Sequence, residues 1–135
     1  MNSTTLWVAQ SLSSAFLAVL FLQSGLDKVL DWKGNREYVT GYFAKSPLKN
    51  FTAPMFVTLT ILEVLTGVVC AAGAVTVLLT KQAKVGFLGA VLAGVTILAL
   101  FFGQRLAKDY AAAAGMVPYG IYTLLAILLL GLHGI

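Results

Sequence analysis

Residues 51–79 read FTAPMFVTLTILEVLTGVVCAAGAVTVLL, a run in which Glu63 is the single charged residue. A helix needs about 20 apolar residues to cross a bilayer, and this run is longer than that. A carboxyl group inside such a helix has no water to solvate it, so it must be neutral, paired or turned toward a cavity. The run therefore predicts a membrane helix, and Glu63 is a candidate functional residue.

The composition of the whole chain agrees with this prediction. Of the 135 residues, 59% are hydrophobic and 10% are charged, whereas soluble domains are typically about 25% charged. We expect one all-α membrane domain over residues 1–135. Cys70 is the only cysteine, which excludes an intrachain disulfide and a cysteine-based metal cluster. His133 is the only histidine, which excludes haem ligation by two histidines of the chain, and nothing supports a metal site.

Four hydrophobic stretches predict a bundle of four transmembrane helices, at about 6–26, 53–79, 85–102 and 116–132. Pro118 is expected in the first turn of the fourth helix, where its missing N–H breaks no hydrogen bond. The first loop, 27–50, predicts a short interfacial helix with one apolar face, formed by Trp32, Tyr38, Val39, Tyr42 and Phe43. Two interpretations of that face stand: an aromatic belt that anchors the bundle, or a lid over a site.

The distribution of basic residues predicts the orientation. Loops one and three carry seven of the nine Lys and Arg residues, namely Lys28, Lys33, Arg36, Lys45, Lys49, Arg105 and Lys108. The positive-inside rule then places both loops in the cytoplasm and both termini outside, in the bacterial plasma (inner) membrane. Because these basic residues flank the spans, the net charge of +4 favours anionic lipid over nucleic acid. The expected partners are the lipid bilayer and other membrane subunits or a second copy of the chain.

The small residues of the spans predict which helix faces meet. Helices in lipid associate through small side chains that let the backbones approach. The third span has Gly86, Ala90 and Gly94 at a spacing of four, and the second span has Gly67 and Ala74 on the side of Glu63. The full stripe on that side of the second span reads Phe56, Thr60, Glu63, Gly67, Cys70 and Ala74. Glu63 is therefore expected to point into the bundle, roughly 15 Å below the membrane surface.

The possible partners of Glu63 gather toward one side of the membrane, and they are Lys28, Gln104, Arg105, Tyr119 and Tyr122. A contact between Glu63 and Arg105 is within reach, although Arg105 could pair with Asp109, four residues on, instead. Lys28 is expected to extend to the membrane surface rather than to mid-depth. The two tyrosines are either hydrogen-bond donors to a ligand or part of an aromatic belt.

Several short motifs resemble those of the DoxX-like family of small membrane proteins. Residues 21–28, FLQSGLDK, resemble its F-L-x-S-G-x-x-K signature. Further similarities are Tyr42-Phe43 followed by Pro47, Glu63 with Leu65 and Gly67, and Arg105 with Lys108-Asp109. The resemblance implies a four-helix membrane protein. Some relatives are membrane subunits of quinone-linked oxidoreductases, including thiosulfate:quinone oxidoreductase, and others appear in redox-stress complexes. Many relatives have no established activity. The resemblance therefore implies the fold more strongly than it implies a reaction.

Three functions stay open. In the first, the chain is a quinone-associated subunit of a redox complex: Glu63 relays protons, a partner supplies the electrons, and the quinone is contacted by Lys28, Gln104, Arg105, Tyr119 and Tyr122. In the second, Glu63 is a buried anchor in a structural or assembly subunit of such a complex. In the third, the chain is a small proton or cation conductor. No intrinsic cofactor and no soluble-enzyme motif is evident.

Overall fold

The computed structural model describes residues 2–132, and all regular secondary structure in that range is helical. Five α-helices follow one another along the chain: α1 (Ser3–Leu30), α2 (Trp32–Tyr42), α3 (Thr52–Thr80), α4 (Lys84–Leu106) and α5 (Tyr110–Gly131). A short 3-10 turn, Lys49–Phe51, leads into α3. Helices α1, α3, α4 and α5 are long and apolar enough to cross a membrane, which confirms the four long apolar helices expected from the sequence.

Helix α2 confirms the short helix expected in the first loop. Asp31 separates it from α1 with a non-helical backbone, and its carboxylate accepts a hydrogen bond from the backbone N–H of Gly34 at 3.3 Å. This is the usual way in which an aspartate caps the start of a helix. Helix α2 ends at Tyr42, and a turn that contains Pro47 follows.

The start of the fourth long helix differs from the prediction. Helix α5 begins at Tyr110 rather than near residue 116, so Pro118 lies inside it and not in its first turn. Asp109 caps this earlier start by accepting a hydrogen bond from the backbone N–H of Ala112 at 3.2 Å. The alanines at 111–114 have the highest helix propensity of any residue type, which favours helix there over the expected loop.

Consecutive long helices pack antiparallel, and the most extensive contacts join α1 to α3, α3 to α4 and α4 to α5. Glycines make the close approaches, as expected for helices that pack through small residues. An added Cβ on Gly67 of α3 would lie 2.8 Å from the backbone nitrogen of Leu22 in α1. On the other side of α3, a Cβ on Gly89 of α4 would lie 2.9 Å from the sulfur of Cys70.

The inward stripe of α3 is confirmed, since Phe56, Thr60, Glu63, Gly67, Cys70 and Ala74 are all buried. The end of the bundle at which α1 and α4 finish and α3 and α5 begin is called the α2 end, because α2 lies there. Helix α1 continues to Leu30, one turn beyond the predicted limit. This extension places Lys28 within a helix, where its direction is fixed by the helix geometry.

Candidate functional site: a buried ion pair beside a cavity

Glu63 forms a buried ion pair with Lys28. The Glu63 side chain is 2% exposed, and its Oε2 lies 2.8 Å from the ammonium nitrogen of Lys28, which is 16% exposed. The hydroxyl of Ser24 donates a hydrogen bond to Glu63 Oε1 at 2.7 Å and accepts one from Lys28 Nζ at 3.2 Å. We call these three residues the Ser24–Lys28–Glu63 triad. Each member touches the other two, so the two charges are held in one geometry.

The antiparallel packing of α1 and α3 explains why these side chains meet. Side chains on an α-helix lean toward its N-terminus. Lys28, in the last turns of α1, therefore leans back into the bundle, while Glu63 leans toward the α2 end, where α3 begins. Gly25 lets the two backbones approach, since a Cβ there would lie 3.0 Å from the backbone nitrogen of Val64. The two charges converge from opposite directions along the helix interface.

One prediction about this site is wrong, and two contacts of Arg105 that the sequence left open are not made between residues 2 and 132. Lys28 does not extend to the surface, because its side chain leans toward the N-terminus of α1 and so points to Glu63. Arg105 does not pair with Glu63, whose partners are Lys28 and Ser24 of α1. The exposed Arg105 guanidinium lies over the ring of Tyr110 at 4.7 Å from the ring centroid, a cation–π contact. Asp109 does not pair with it either, because α4 ends at Leu106 and breaks the helical spacing of four residues.

Next to the triad, a cavity of about 630 Å³ lies between α2, α3, α4 and the start of α5. This volume is within the range of about 300–1,000 Å³ that is typical of small-molecule sites. Apolar side chains form most of the wall, including Phe43, Phe56, Leu59, Leu62 and Leu100. The polar groups on the wall include Lys28, Asn35, Tyr38, Tyr42, Gln104 and Asp109.

Lys28 connects the cavity to Glu63. Lys28 is part of the cavity wall, whereas Glu63 lies behind it. An ammonium group has three N–H donors. One is donated to Ser24, and Glu63 lies at ion-pair distance, so at least one N–H is available to an occupant of the cavity. Gln104 adds an acceptor, because its Oε1 is buried and has no hydrogen-bond partner among residues 2–132. The cavity thus combines an apolar wall with one donor and one acceptor.

A second polar contact lies in the cavity wall on the side of α2. The hydroxyl of Tyr42 donates a hydrogen bond to Asp109 Oδ2 at 2.7 Å, and this bond joins α2 to the turn between α4 and α5. Burial and the neighbouring Asp109 carboxylate raise the pKa of Tyr42 well above its usual value. The adjacent Phe43 is buried with its ring against Gly103. The hydrogen bond therefore joins two elements that line the cavity.

The structure places Tyr119 and Tyr122 away from both the triad and the cavity wall. Since α5 begins at Tyr110, these tyrosines lie roughly 14 and 18 Å along the helix from its start. The ring of Tyr122 packs against Phe16 of α1 with centroids 4.4 Å apart, and Tyr119 is exposed. Of the five predicted ligand-contacting residues, only Lys28 and Gln104 line the cavity.

Sequence reasoning missed the roles of Ser24, Asn35, Tyr42 and Asp109. Ser24 precedes Lys28 by four residues, a spacing that places both on one helix face and could have indicated the contact. No comparable signal links Tyr42 to Asp109, which are 67 residues apart in the sequence. Their contact depends on where α2 lies across the bundle.

The chain matches no family model, no curated protein sequence and no solved structure. Between residues 2 and 132, no three His, Cys, Asp or Glu side chains are grouped so as to hold a metal ion, and His133 lies outside the described residues. The function is therefore inferred from the geometry of the triad and of the cavity.

Proposed function

We propose that the protein is an integral membrane subunit of a larger redox complex, and that its cavity binds a quinone beside Lys28. The observation that carries this proposal is the position of Lys28, which lies in the cavity wall and is also held by Glu63 and Ser24. A quinone has carbonyl oxygens that accept hydrogen bonds and an apolar tail. The free N–H of Lys28 suits the first, and the apolar wall suits the second.

Each polar residue then has a distinct role. Lys28 donates to one oxygen of the quinone ring. The side-chain amide of Gln104 donates through Nε2 to the other oxygen of a quinone, or accepts through Oε1 from the hydroxyl of the reduced quinol. Glu63 and Ser24 are positioning residues, because they fix the Lys28 ammonium and balance its charge. Protons pass to and from Glu63 through Lys28 or Ser24, since Glu63 is behind the cavity wall. A partner subunit supplies the electrons.

We also propose membership of the DoxX-like family, on the resemblance of residues 21–28 to its F-L-x-S-G-x-x-K pattern. Four of the five fixed positions of the F-L-x-S-G-x-x-K pattern have a direct physical role here. Phe21 is in the buried core, Ser24 donates to Glu63, Gly25 packs against α3, and Lys28 pairs with Glu63. From the excess of basic residues in loops one and three, we infer that the α2 end lies in the cytoplasm and both termini outside. The bacterial plasma membrane location is proposed from the family resemblance.

The two other hypotheses have less support. The hypothesis of a purely structural subunit explains the triad as an anchor, but it gives no role to the cavity or to the Gln104 oxygen that has no partner among residues 2–132. A cation conductor would need Glu63 to receive the ion, and the Lys28 ammonium already lies 2.8 Å from that carboxylate.

The test is quinone binding by the purified full-length chain in lipid nanodiscs. Decyl-substituted benzoquinone is the probe, and quenching of tryptophan fluorescence is the readout, because the Trp32 ring contacts Phe56 of the cavity wall with centroids 4.6 Å apart. We expect saturable quenching, and about tenfold weaker binding in Gln104→Leu, the scale of one lost hydrogen bond. The matched control is Gln23→Leu, an exposed glutamine in α1. Absence of saturable quenching, or equal affinities in Gln104→Leu and the parent, would contradict the proposal.

A further inference from the structure

Helix α2 is attached to the bundle much more weakly than the four long helices are attached to one another. None of its 11 residues is buried, and its contacts with α1 and α3 are few beside those between α1 and α3. Segments with few buried contacts open at lower free-energy cost than the core does. Helix α2 can therefore move while the bundle stays intact.

The two ends of α2 are held by different contacts. At its start, Asn35 donates through Nδ2 to the backbone oxygens of Asp31 at 2.9 Å and Asp27 at 3.2 Å, which ties α2 to the end of α1. At its end, the hydroxyl of Tyr42 donates a hydrogen bond to Asp109 at 2.7 Å, in the part of the cavity wall where α5 begins. The contacts at the start of α2 join residues that are close in sequence and keep this end near α1. The contact at its end joins residues that are far apart in sequence.

Helix α2 also covers the cavity. Asn35, Tyr38, Val39 and Tyr42 all contribute to its wall, and they come from successive turns of α2. The apolar face predicted for the first loop thus includes residues that face the cavity. Asp109 is fixed by its own helix, since its Oδ1 caps α5 while its Oδ2 receives Tyr42.

We propose that α2 is a gate over the cavity, hinged near Asp31 and latched by the hydrogen bond between Tyr42 and Asp109. Release of the latch frees the Tyr42 ring and lets the turns of α2 between Asp31 and the buried Phe43 move away from α5. This movement widens the opening of the cavity at the α2 end, so a lipid-soluble occupant enters and leaves there. The inference rests on the proposed function in taking the cavity as the ligand site. The opening itself is a property of the protein without a ligand.

The test measures cavity opening without any quinone. Leu100, in the cavity wall on α4, is replaced in the variant Leu100→Cys, and the full chain in nanodiscs is labelled with N-ethylmaleimide. The parent chain, which has only the buried Cys70, gives the background labelling rate. In the Leu100→Cys background, Tyr42→Phe should raise the labelling rate about tenfold or more, as expected when a hydrogen bond to a charged group is lost. Tyr38→Phe is the matched control, because Tyr38 also lines the cavity and stacks on Tyr42, with centroids 5.8 Å apart.

An unchanged labelling rate in Tyr42→Phe would overturn the gate, and so would an equal increase in Tyr38→Phe. Hydrogen–deuterium exchange provides a second measurement: in Tyr42→Phe, the amides of α2 should exchange faster while those of α3 do not. Faster exchange of both helices would mean general loosening and would also overturn the proposal. Because neither readout uses quinone, failure of quinone binding and failure of the gate are separate results.

Discussion

Lys28 reaches Glu63 across the interface of α1 and α3 with a nitrogen–oxygen distance of 2.8 Å, and this is the only ion pair between residues 2 and 132. Each charge depends on the other, because the carboxylate is almost completely buried. Taking two charges out of water is costly, and the mutual attraction offsets that cost only while both partners are present. The pair should therefore behave as a unit when either residue is replaced.

We predict strong coupling between substitutions of Lys28 and Glu63. Lys28→Met should lower the free energy of unfolding by about 3–5 kcal/mol, because it leaves an unpaired buried carboxylate. The double variant Lys28→Met with Glu63→Gln should lose less than Lys28→Met alone. Thermal unfolding in mild detergent measures both, with Lys33→Met, an exposed lysine of α2, as the control. Additive losses in the double variant would argue against the pair.

Ser24→Ala should destabilise the protein by about 1.5–3 kcal/mol, the typical contribution of a hydrogen bond to a charged group. Its hydroxyl satisfies Glu63 Oε1, and alanine leaves that oxygen without a donor. The neighbouring Gln23 is exposed on α1, so Gln23→Ala should be nearly neutral in the same unfolding assay. Equal effects of the two substitutions would show that the Ser24 contact is unimportant.

Gly25→Ala should weaken the packing of α1 on α3. A Cβ at this position would lie 2.7 Å from Cγ2 of Val64 and 3.0 Å from its backbone nitrogen, so the helices must separate. Overpacking of this kind typically costs about 1–3 kcal/mol. The control is Gly115→Ala in α5, where nothing lies within 4 Å and alanine should stabilise the helix by up to about 1 kcal/mol. Unfolding temperatures that move in the same direction for both variants would contradict this account of α1–α3 packing.

Tyr42 should lose its proton later than an ordinary tyrosine as the pH rises. The raised pKa in the folded state means that folding favours the protonated phenol. The corresponding contribution to stability is complete below the ordinary tyrosine pKa of about 10 and is lost as the pH rises above it. A near-ultraviolet titration of phenolate absorbance should show a late phase that is smaller by one tyrosine in Tyr42→Phe. Identical late phases in both proteins would refute the assignment.

The helices and the inward side of α3 could be predicted from the amino-acid order alone. The long apolar runs predict membrane-length helices because a buried backbone must satisfy its own hydrogen bonds, and the spacing of Glu63, Gly67 and Cys70 selects one helix face. The short helix of the first loop also followed from the periodicity of its aromatic residues. The start of α5 did not, since the capping by Asp109 outweighed the preference of Pro118 for a first turn.

The partner of Glu63 and the surface that α2 covers depend instead on how the helices pack in three dimensions. Lys28 and Arg105 both lie near the ends of helices that run antiparallel to α3, so both side chains lean back along the bundle. The choice depends on the helix face that each residue occupies, since Lys28 faces Glu63 whereas Arg105 is exposed. The contact of Tyr42 with Asp109 likewise depends on how α2 crosses the bundle, because side chains 67 residues apart are brought together by packing and not by local spacing.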